Sequence, residues 1–481
     1  MTLTIHNEVN WALSMFGAAE LKDKRRTRRL VDMATRQARN SGKSVAQACE
    51  GSGAPLEGSY RFIRNDQICA DAIRRAGFDA TARLADERDE VWVLEDTTSL
   101  SYKHSVAEKL GKLGKSTDKA RGWWVHNDLM VCGKTTQTLG LVHQEYWCRP
   151  DNIDDADEKE SGKWQTASES MRGRFGKQMY KVITVCDREA DIFAYLADKQ
   201  AHKERYVVRA KHMRQIEETE QDLYSHLSAQ SALGGYQVDV SQKGLVDKQG
   251  KRYNRKGRTA CLEVRTATVT IRRNKTPMTL NAVLAEEVSV QENEAPLRWL
   301  LLTSEPVATL AEALKVIRIY TTRWRVEDFH KAWKTGAGAE RQRMVEPEHL
   351  ERMVSILAFV AVRLMQLRES FTVANTLRSQ GLSEQAKEVE QMPCDTVLTR
   401  DEWLVLWQTD KSKRKPRLQT NEAPSLQWAY HALARLGGFT DSKRTGIAGW
   451  ATLWAGWEKL QAFLAGFLAS RELMEAGMIK L

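Results

Sequence analysis

The chain has 481 residues, of which 42% are hydrophobic, 28% are charged and only 9 are proline. This length predicts about three domains of roughly 100–200 residues each, and the composition excludes collagen-like, proline-rich and intrinsically disordered proteins. Lysine and arginine (73) outnumber aspartate and glutamate (63), and the net charge of +10 suits a polyanionic partner. No apolar run approaches the ~20 residues that span a bilayer and no secretory signal is evident, so we expect a cytoplasmic protein without a membrane segment.

The seven cysteines are widely spaced and include no C-x-x-C pair. Their odd number and their spacing argue against a disulfide framework and against a zinc site. We therefore expect reduced, buried thiols.

The strongest local charge lies between residues 22 and 43, where nine basic residues face two acidic ones. Apolar residues recur at helical spacing in this segment, which predicts an amphipathic helix. Such a helix could be simply solvated, or it could bind DNA phosphates. The basic residues are Lys22, Lys24, Arg25, Arg26, Arg28, Arg29, Arg36, Arg39 and Lys43.

Apolar segments after residue 90 predict the strands of one α/β sheet. EVWVLED (90–96) and YKVITVCD (180–187) indicate buried strands, and the second runs into a helical stretch. GWWVHNDLMVC (122–132) and TLGLVHQEYWC (138–148) indicate an antiparallel hairpin. Three antiparallel strands, a connection and a strand–helix unit are the opening of a ribonuclease H-like α/β fold.

Residues from about 205 to 304 contain further β-type segments, beginning with RYVVRAKH (205–212). They predict a sheet inserted before the last helices of the fold, and the chain becomes helical after Leu310. In the final segment, 446–474, apolar residues recur at alternating intervals of 3 and 4, which fits a two-helix seam and an ordinary core helix equally well. These residues are Trp450, Leu453, Trp457, Leu460, Leu464 and Phe467.

Two acidic residues, Asp96 and Asp187, end the two buried strands. Strand ends are where a sheet exposes side chains to a cleft, so two acids placed there could share metal ions. Acids also end strands simply as turn residues, and these two positions alone leave that alternative open.

The segment 319–334 predicts a helix with one polar face. At 100° per residue its polar side chains lie within about 80° of one another, opposite a buried apolar face. The polar side chains are Tyr320, Arg323, Glu327, Lys331 and Lys334, and the apolar ones are Ile319, Val326, Phe329 and Trp333. The polar stripe could be a solvated face with i,i+4 ion pairs. It could also add Glu327 to the two aspartates, since hard cations that act on phosphodiesters take oxygen ligands.

Three other catalytic motifs are missing or incomplete. GKLGKST (111–117) has Lys109 where a phosphate-binding loop needs its first glycine, and no apolar strand precedes it. The sequence contains neither G-x-S-x-G nor H-E-x-x-H. Phosphate-loop NTPases, serine hydrolases and zinc hydrolases therefore have no support.

The helix at 319–334 matches a known signature. Tyr320, Arg323, Glu327 and Lys334 have the Y-R-E-K spacing of DDE transposases of the insertion-sequence-four group, and strings along essentially the whole chain resemble that family. The strings are EDTTSLSY (95–102), KLGK (112–115), RGWWVH (121–126), ADEKESGKW (156–164), VCDREADI (185–192), WLLLTSEPV (299–307), EDFHKAWKTGAGAERQRM (327–344) and DSKRTGIAGW (441–450).

The resemblance implies an α/β protein with a ribonuclease H-like catalytic core, a mostly β insertion and helical domains at both ends. Residues 1–70 would form the DNA-binding domain, 71–370 the catalytic domain with the insertion at about 205–304, and 371–481 the dimerisation domain. It further implies a metal-binding catalytic triad that holds two Mg²⁺ ions per active site, with Mn²⁺ as a substitute. The triad consists of Asp96, Asp187 and Glu327.

The resemblance also implies contacts to DNA. Tyr320, Arg323 and Lys334 would contact the phosphates of the transposon end, and Trp299 would stack on a flipped base during hairpin formation. Further expected DNA contacts are Lys331, Arg209, Lys211, Arg25, Arg26, Arg29 and Lys43.

The implied activity is cut-and-paste transposition by a homodimer that binds transposon ends and target DNA. We expect no need for ATP, and a location at the nucleoid in the cytoplasm. A DNA-binding repressor without chemistry is disfavoured because all three acids are present, and a nuclease without a joining step is disfavoured by the basic helix and the apolar seam. We also expect the first ~50 residues to be separable from a remainder that folds alone.

Overall fold

The structure is a computed structural model. It describes residues 7–51, 53–114, 120–149, 160–217, 219–240, 245–246, 252–253, 258–273, 276–288, 296–379, 383–413, 415–417, 422–440 and 448–478. Most of the acidic segment around residue 155, and with it much of the string ADEKESGKW, lies outside these ranges.

Five helices open the chain, and polar side chains cap the starts of the first three. They are α1 (Glu8–Phe16), α2 (Lys24–Arg39), α3 (Val45–Ala48), α4 (Gly53–Ile63) and α5 (Ala70–Ala82). The side chain of Asp23 accepts a hydrogen bond from the Arg25 amide and so begins α2. Because α2 buries Leu30, Met33 and Ala34 on one face, the predicted amphipathic basic helix is confirmed.

Five strands build the central part of the main sheet in the order β4-β3-β1-β5-β6. They are β1 (Val91–Tyr102), β3 (Arg121–Cys132), β4 (Thr138–Trp147), β5 (Val182–Cys186) and β6 (Arg205–Arg209), and a two-residue strand, β2 (Gly111–Lys112), lies at the edge of β3. The strands β3 and β4 are the predicted hairpin, and β1, β5 and β6 run parallel. This is the ribonuclease H-like arrangement that the sequence predicts.

The prediction that a strand ends at Asp96 is wrong. Strand β1 continues to Tyr102, because its pairing with β3 persists as far as Tyr102 opposite Arg121. Only its pairing with β5 stops, at Glu95 opposite Cys186. Asp96 therefore lies inside a strand, at the point where the neighbouring strand ends.

Helices cover both faces of this sheet. On one face lie α6 (Lys163–Phe175) and α7 (Phe193–Ala201), whose Trp164 and Tyr195 pack with Cys186 of β5. On the other face, Ile183 and Val185 of the same strand join a larger apolar cluster with the helices that follow the insertion. Each central strand is thus buried on both sides, as its apolar sequence requires.

The β insertion extends the same sheet. It contains α8 (Leu223–Ser228), β7 (Gly234–Val240), β8 (Leu245–Val246), β9 (Arg252–Tyr253), β10 (Arg258–Arg273), β11 (Thr276–Glu287) and β12 (Arg298–Thr303). The last of these pairs antiparallel with β6, so the sheet runs on through β12, β11, β10 and β7. Segment 205–212 begins with β6, a parallel core strand, and its assignment to the insertion is therefore wrong.

The remaining described helices are α9 (Leu310–Thr321), α10 (Trp324–Lys331), α11 (Pro347–Ser379), α12 (Ser383–Gln391), α13 (Arg400–Thr409), α14 (Leu426–Leu436) and α15 (Trp450–Glu475). The longest, α11, is buried through its middle and joins one apolar cluster that also includes Leu30 of α2 and Leu433 of α14. Its Arg363, 1% exposed, pairs with Glu8 at 2.9 Å. This continuous core contradicts the expectation that the first ~50 residues can be removed without loss of folding.

The apolar stripe of α15 divides into two parts. Leu453, Trp457 and Leu460 are buried in the main apolar cluster, as in an ordinary core helix. Leu464 is partly buried against the same cluster, and Phe467, the last residue of the stripe, is 40% exposed. Phe463, which does not belong to the stripe, is 49% exposed. These two exposed phenylalanines are available to a partner.

The cysteines are free thiols, as expected, but the prediction that they are buried is wrong for Cys69, Cys148 and Cys261, which are exposed. Among the helices that the structure describes, none combines the length and the apolar character needed to cross a bilayer.

Candidate active site

The register of two strands, β1 and β5, places the two aspartates side by side. Glu95 of β1 lies opposite Cys186 of β5, so the residues that follow, Asp96 and Asp187, project from the same face of the sheet. Asp187 directly follows the end of β5, and its carboxylate accepts a hydrogen bond of 2.8 Å from the amide of Glu189. This cap begins a 3-10 turn and leaves Asp187 at the carboxyl end of β5.

The predicted single helix at 319–334 is wrong, because two helices and a wider turn occupy this segment. The hydroxyls of Thr321 and Thr322 both donate to the carbonyl of Arg318, at 3.0 and 2.9 Å, and end α9 there. Helix α10 then carries Glu327 and continues into a π-helical turn, Ala332–Gly336. The predicted apolar face is confirmed, since Ile319, Val326, Phe329 and Trp333 are buried.

Arg323, between these two helices, links two of the three acids. Its guanidinium lies 2.8 Å from Glu327 Oε1 and 3.5 Å from Asp96 Oδ2. Burial, opposed by the charge of Arg323 and reinforced by the charges of Asp187 and Glu327, raises the pKa of Asp96 to about 7. Asp187 and Glu327 are thus both close enough to act on Asp96, while the side chains of Asp96 and Glu327 keep 19% and 29% exposure.

The three remaining polar residues of the segment occupy different environments. Lys334 lies in the π turn, and burial lowers its pKa against the opposing charges of Glu340 and Asp96. Lys331 is exposed and lies 3.7 Å from Asp328. Tyr320 and Arg323 are both buried, so the first two residues of the predicted polar stripe are not exposed.

Two predicted DNA contacts share the face of the acids. Arg209 of β6 follows Val208, which pairs with Cys186, and therefore projects from the same face as Asp187. Arg209 pairs in turn with Leu301 of β12, so Trp299, two residues earlier, is on this face as well. Trp299 is half-buried, and Lys211, just beyond β6, is exposed.

The basic residues predicted to contact DNA from the N-terminal helices differ in exposure. Arg25 is 88% exposed and Arg29 is 36% exposed, and each pairs with an aspartate at 3.0 Å, Asp23 and Asp32 respectively. Arg26 is partly buried and donates to the carbonyl of Leu21 at 3.2 Å.

Lys43 is exposed in the loop that follows α2, next to the π turn. Its neighbour Gly42 has a φ of +77°, and a Cβ there would lie 2.8 Å from the carbonyl oxygen of Gly336. Only glycine fits this approach without strain, so the loop of the N-terminal helices reaches the turn that carries Lys334.

Sequence reasoning missed three residues of this site. Trp324, next to Arg323, is 63% exposed, which is unusual for a tryptophan. At 100° per residue Trp324 falls about 40° from Tyr320, next to the polar stripe. A large apolar residue on the polar side of the predicted helix could have marked it as a site residue. His330 and Asn127 are buried and lie 3.2 Å apart beneath Asp96, a contact across two distant segments that no spacing in the sequence reveals.

Two families of known proteins match the chain. The family described as Transposase DNA-binding matches residues 8–68, and the one described as Transposase DDE domain matches residues 153–363. Residues 8–68 and 153–363 are thus similar to the DNA-binding and DDE domains of transposases, which supports a transposase with DNA as a partner. The DDE match includes Asp187 and Glu327, while Asp96 precedes it.

Proposed function

We propose that this chain is a cut-and-paste transposase of the insertion-sequence-four group, similar to that of transposon Tn-five. The observation that carries the proposal is the proximity of Asp187 and Glu327 to Asp96, with Arg323 paired to Asp96 and Glu327, beside a ribonuclease H-like sheet. Such a group of acids, with cations beside it, suits phosphoryl transfer in DNA.

The acids fit divalent cations. Burial and the charges of Asp187 and Glu327 together raise the pKa of Asp96 to about 7 even beside Arg323, so further positive charge is needed to keep the three carboxylates ionised together. Oxygen ligands select Mg²⁺ or Mn²⁺ over softer metals. We therefore propose that Asp96, Asp187 and Glu327 hold two Mg²⁺ ions per site, replaceable by Mn²⁺, and that bound cations there activate water and stabilise charge on phosphate oxygens.

The basic residues around the acids position the DNA. Arg323 presents a planar guanidinium that suits a phosphate, and its ion pairs with Asp96 and Glu327 hold it at the site before DNA arrives. Lys334 and Lys331 add positive charge on the following turns. Tyr320 supports Arg209, whose guanidinium lies 5.9 Å from the centre of its ring.

The proposed reaction is a series of in-line transfers at phosphorus. Water first cleaves one strand at the transposon end and frees a 3′-hydroxyl, which attacks the opposite strand to form a hairpin. Water reopens the hairpin, and the 3′-hydroxyl then attacks target DNA. Every step forms one P–O bond and breaks one, so ATP is not required.

Recognition and assembly complete the proposal. We assign residues 1–70 to end binding, residues 71–370 to catalysis and residues 371–481 to pairing of two chains. The end-binding contacts are Arg25, Arg26, Arg29 and Lys43, and Lys211 of the core adds to them. Exposed Phe463 and Phe467 on α15 support a homodimer contact. The protein is proposed to act at the nucleoid in the cytoplasm.

The test uses DNA that ends in the inverted repeats flanking the gene. Wild-type protein with Mg²⁺ is expected to give nicked, hairpin and joined products. Asp96→Asn, Asp187→Asn and Glu327→Gln are each expected to abolish all three while the gel shift with DNA persists, since affinity comes mainly from basic contacts.

The matched control is Asp328→Asn, which alters the acid next to Glu327 that pairs with Arg368 at 3.3 Å instead of facing the triad. Cleavage by any triad variant at the wild-type rate removes that residue from the proposal.

A further inference from the structure

A second polar cluster lies on the opposite face of the sheet from the triad. Glu95 of β1 pairs with Asp128 of β3, and Thr97 pairs with His126, so these side chains alternate with Asp96 and project to the other side. Glu95, His126 and Asp128 are all fully buried. Their register makes them neighbours on two adjacent strands directly behind the candidate active site.

The ligand atoms of this cluster converge without bonding to one another. His126 Nε2 lies 3.4 Å from Asp128 Oδ1 and 3.8 Å from Glu95 Oε2, and one ligand atom from each residue falls within 4.8 Å of the others. Among the described residues, neither carboxylate oxygen of Asp128 has a hydrogen-bond partner, and the same holds for His126 Nε2. Polar groups that are buried without partners destabilise the folded state, so these atoms call for a ligand.

His126 is held in the orientation of a ligand. Its Nδ1 lies 3.0 Å from the hydroxyl of Thr97, and the edge of Trp164 packs against its ring. With the Nδ1 proton donated to Thr97, the lone pair of Nε2 faces the two carboxylates. This second partner on the far ring nitrogen is the usual support of a metal-bound imidazole.

Two lysines near the cluster each lie beside another carboxylate. Lys199 of α7 lies 2.9 Å from Glu204, and Lys163 of α6 lies 3.1 Å from Glu189. Tyr195 of α7 donates to Glu95 at 3.5 Å. Burial, followed by the charge of Glu95, raises the pKa of Asp128 well above its usual range, while the charges of Lys199 and Arg174 oppose the shift. Within the part of the chain that the structure describes, no cation is hydrogen-bonded to the Asp128 carboxylate.

We propose that Glu95, His126 and Asp128 form a structural site for one divalent cation of the zinc class. One imidazole and two carboxylates are a mixed set of nitrogen and oxygen donors, which suits Zn²⁺ better than Mg²⁺. Zinc bonds of ~2.0–2.2 Å in a tetrahedron place ligand atoms about 3.4 Å apart, close to the spacings that surround His126 Nε2. The cysteine spacing, which argues against a zinc site, has no bearing on donors of this kind.

The cation ties β1 to β3 immediately behind Asp96, so it supports the strand that carries the first acid. This inference does not rest on the proposed function, because the cluster and the triad lie on opposite faces. Zinc binding to the cluster can therefore be measured in a protein whose triad has been inactivated by substitution.

The experiment uses full-length protein in which Asp187→Asn and Glu327→Gln disable the triad. After incubation with Zn²⁺ and extensive dialysis, elemental analysis is expected to find about one zinc per chain. Asp128→Asn, added to this background, should lower zinc affinity by more than about 100-fold, and Thr97→Val by roughly 10–100-fold. Glu169→Gln, on the exposed face of the covering helix α6, should change nothing.

Thermal unfolding supplies a second readout that does not depend on activity. Zn²⁺ should raise the unfolding temperature of the parent protein but not that of the Asp128→Asn variant, because a ligand stabilises only the state that binds it. Cobalt at the site should give the visible absorption bands of a four-coordinate ion. Absence of bound zinc in the parent, or equal affinity in the parent and in Asp128→Asn, overturns the proposal and leaves a cluster neutralised by protons.

Discussion

Replacement of Asp96 by asparagine should stabilise the protein when divalent metals are removed. Burial, with Asp187 and Glu327 adding to its effect, raises the pKa of Asp96 from 3.8 to about 7 in the folded chain. Below about pH 4 the acid is protonated in both the folded and the unfolded state and has no effect. Between pH 4 and 7 the acid ionises in the unfolded state but stays protonated in the folded state, so the free energy of unfolding falls. Above pH 7 the acid is ionised in both states and the free energy of unfolding stays at this lower value.

The magnitude follows from this shift. About three pKa units at about 1.4 kcal/mol each set an upper bound of about 4 kcal/mol above pH 7. The side chain is 19% exposed, so solvent reduces this value, and we expect a gain of about 2–3 kcal/mol for Asp96→Asn at pH 8. At pH 4 the gain should nearly vanish.

The assay is urea unfolding in EDTA at pH 4, 6 and 8, followed by tryptophan fluorescence. Asp89→Asn, on an exposed bend before β1, is the control and should behave as wild type at all three values. Addition of Mg²⁺ at pH 8 should stabilise wild type and leave Asp96→Asn unchanged. A variant that is less stable than wild type at pH 8 in EDTA would refute the reasoning, since Arg323 would then hold the carboxylate ionised at no cost.

Three further outcomes are expected. Trp299→Ala should permit the first nick but slow hairpin formation by about 5- to 150-fold, because base stacking contributes about 1–3 kcal/mol; the ratio of hairpin to nicked DNA on a gel measures this. Phe463→Asp with Phe467→Asp should leave unfolding midpoints unchanged, since both residues are exposed, but should prevent pairing of two DNA ends in sedimentation and gel-shift experiments. Glu8→Gln should lower stability by about 1–3 kcal/mol in urea unfolding, because buried Arg363 loses its charged partner.

The strands were predictable where the sequence pattern is local. Apolar runs at 90–96 and 180–187 and the hairpin between them are all present, because burial on both faces demands such runs. The continuation of β1 through Thr97 and Thr98 was missed, since Thr and Ser after two acids resemble a turn. Long-range pairing with β3 decides that stretch, and pairing cannot be seen in one strand alone.

The candidate site was predictable in composition and less so in geometry. The proximity of Asp96, Asp187 and Glu327 agrees with the sequence prediction, and their role as metal ligands remains a prediction. The break after α9 was not foreseen, because it depends on two threonine hydroxyls that bind the carbonyl of Arg318. The cluster of Glu95, His126 and Asp128 could not be predicted from the sequence, because only the register of β1 with β3 brings Glu95 next to Asp128.

The pairing of Glu8 with Arg363 bears on how transposases of this kind diversify. Helix α11 shares one apolar cluster with the N-terminal and the C-terminal helices, so a DNA-binding segment exchanged between relatives would arrive without the partners that it packs against. If α2 contacts DNA as proposed, substitutions at its exposed positions, such as Arg25 with 88% exposure, are expected to change DNA binding without disturbing this shared core.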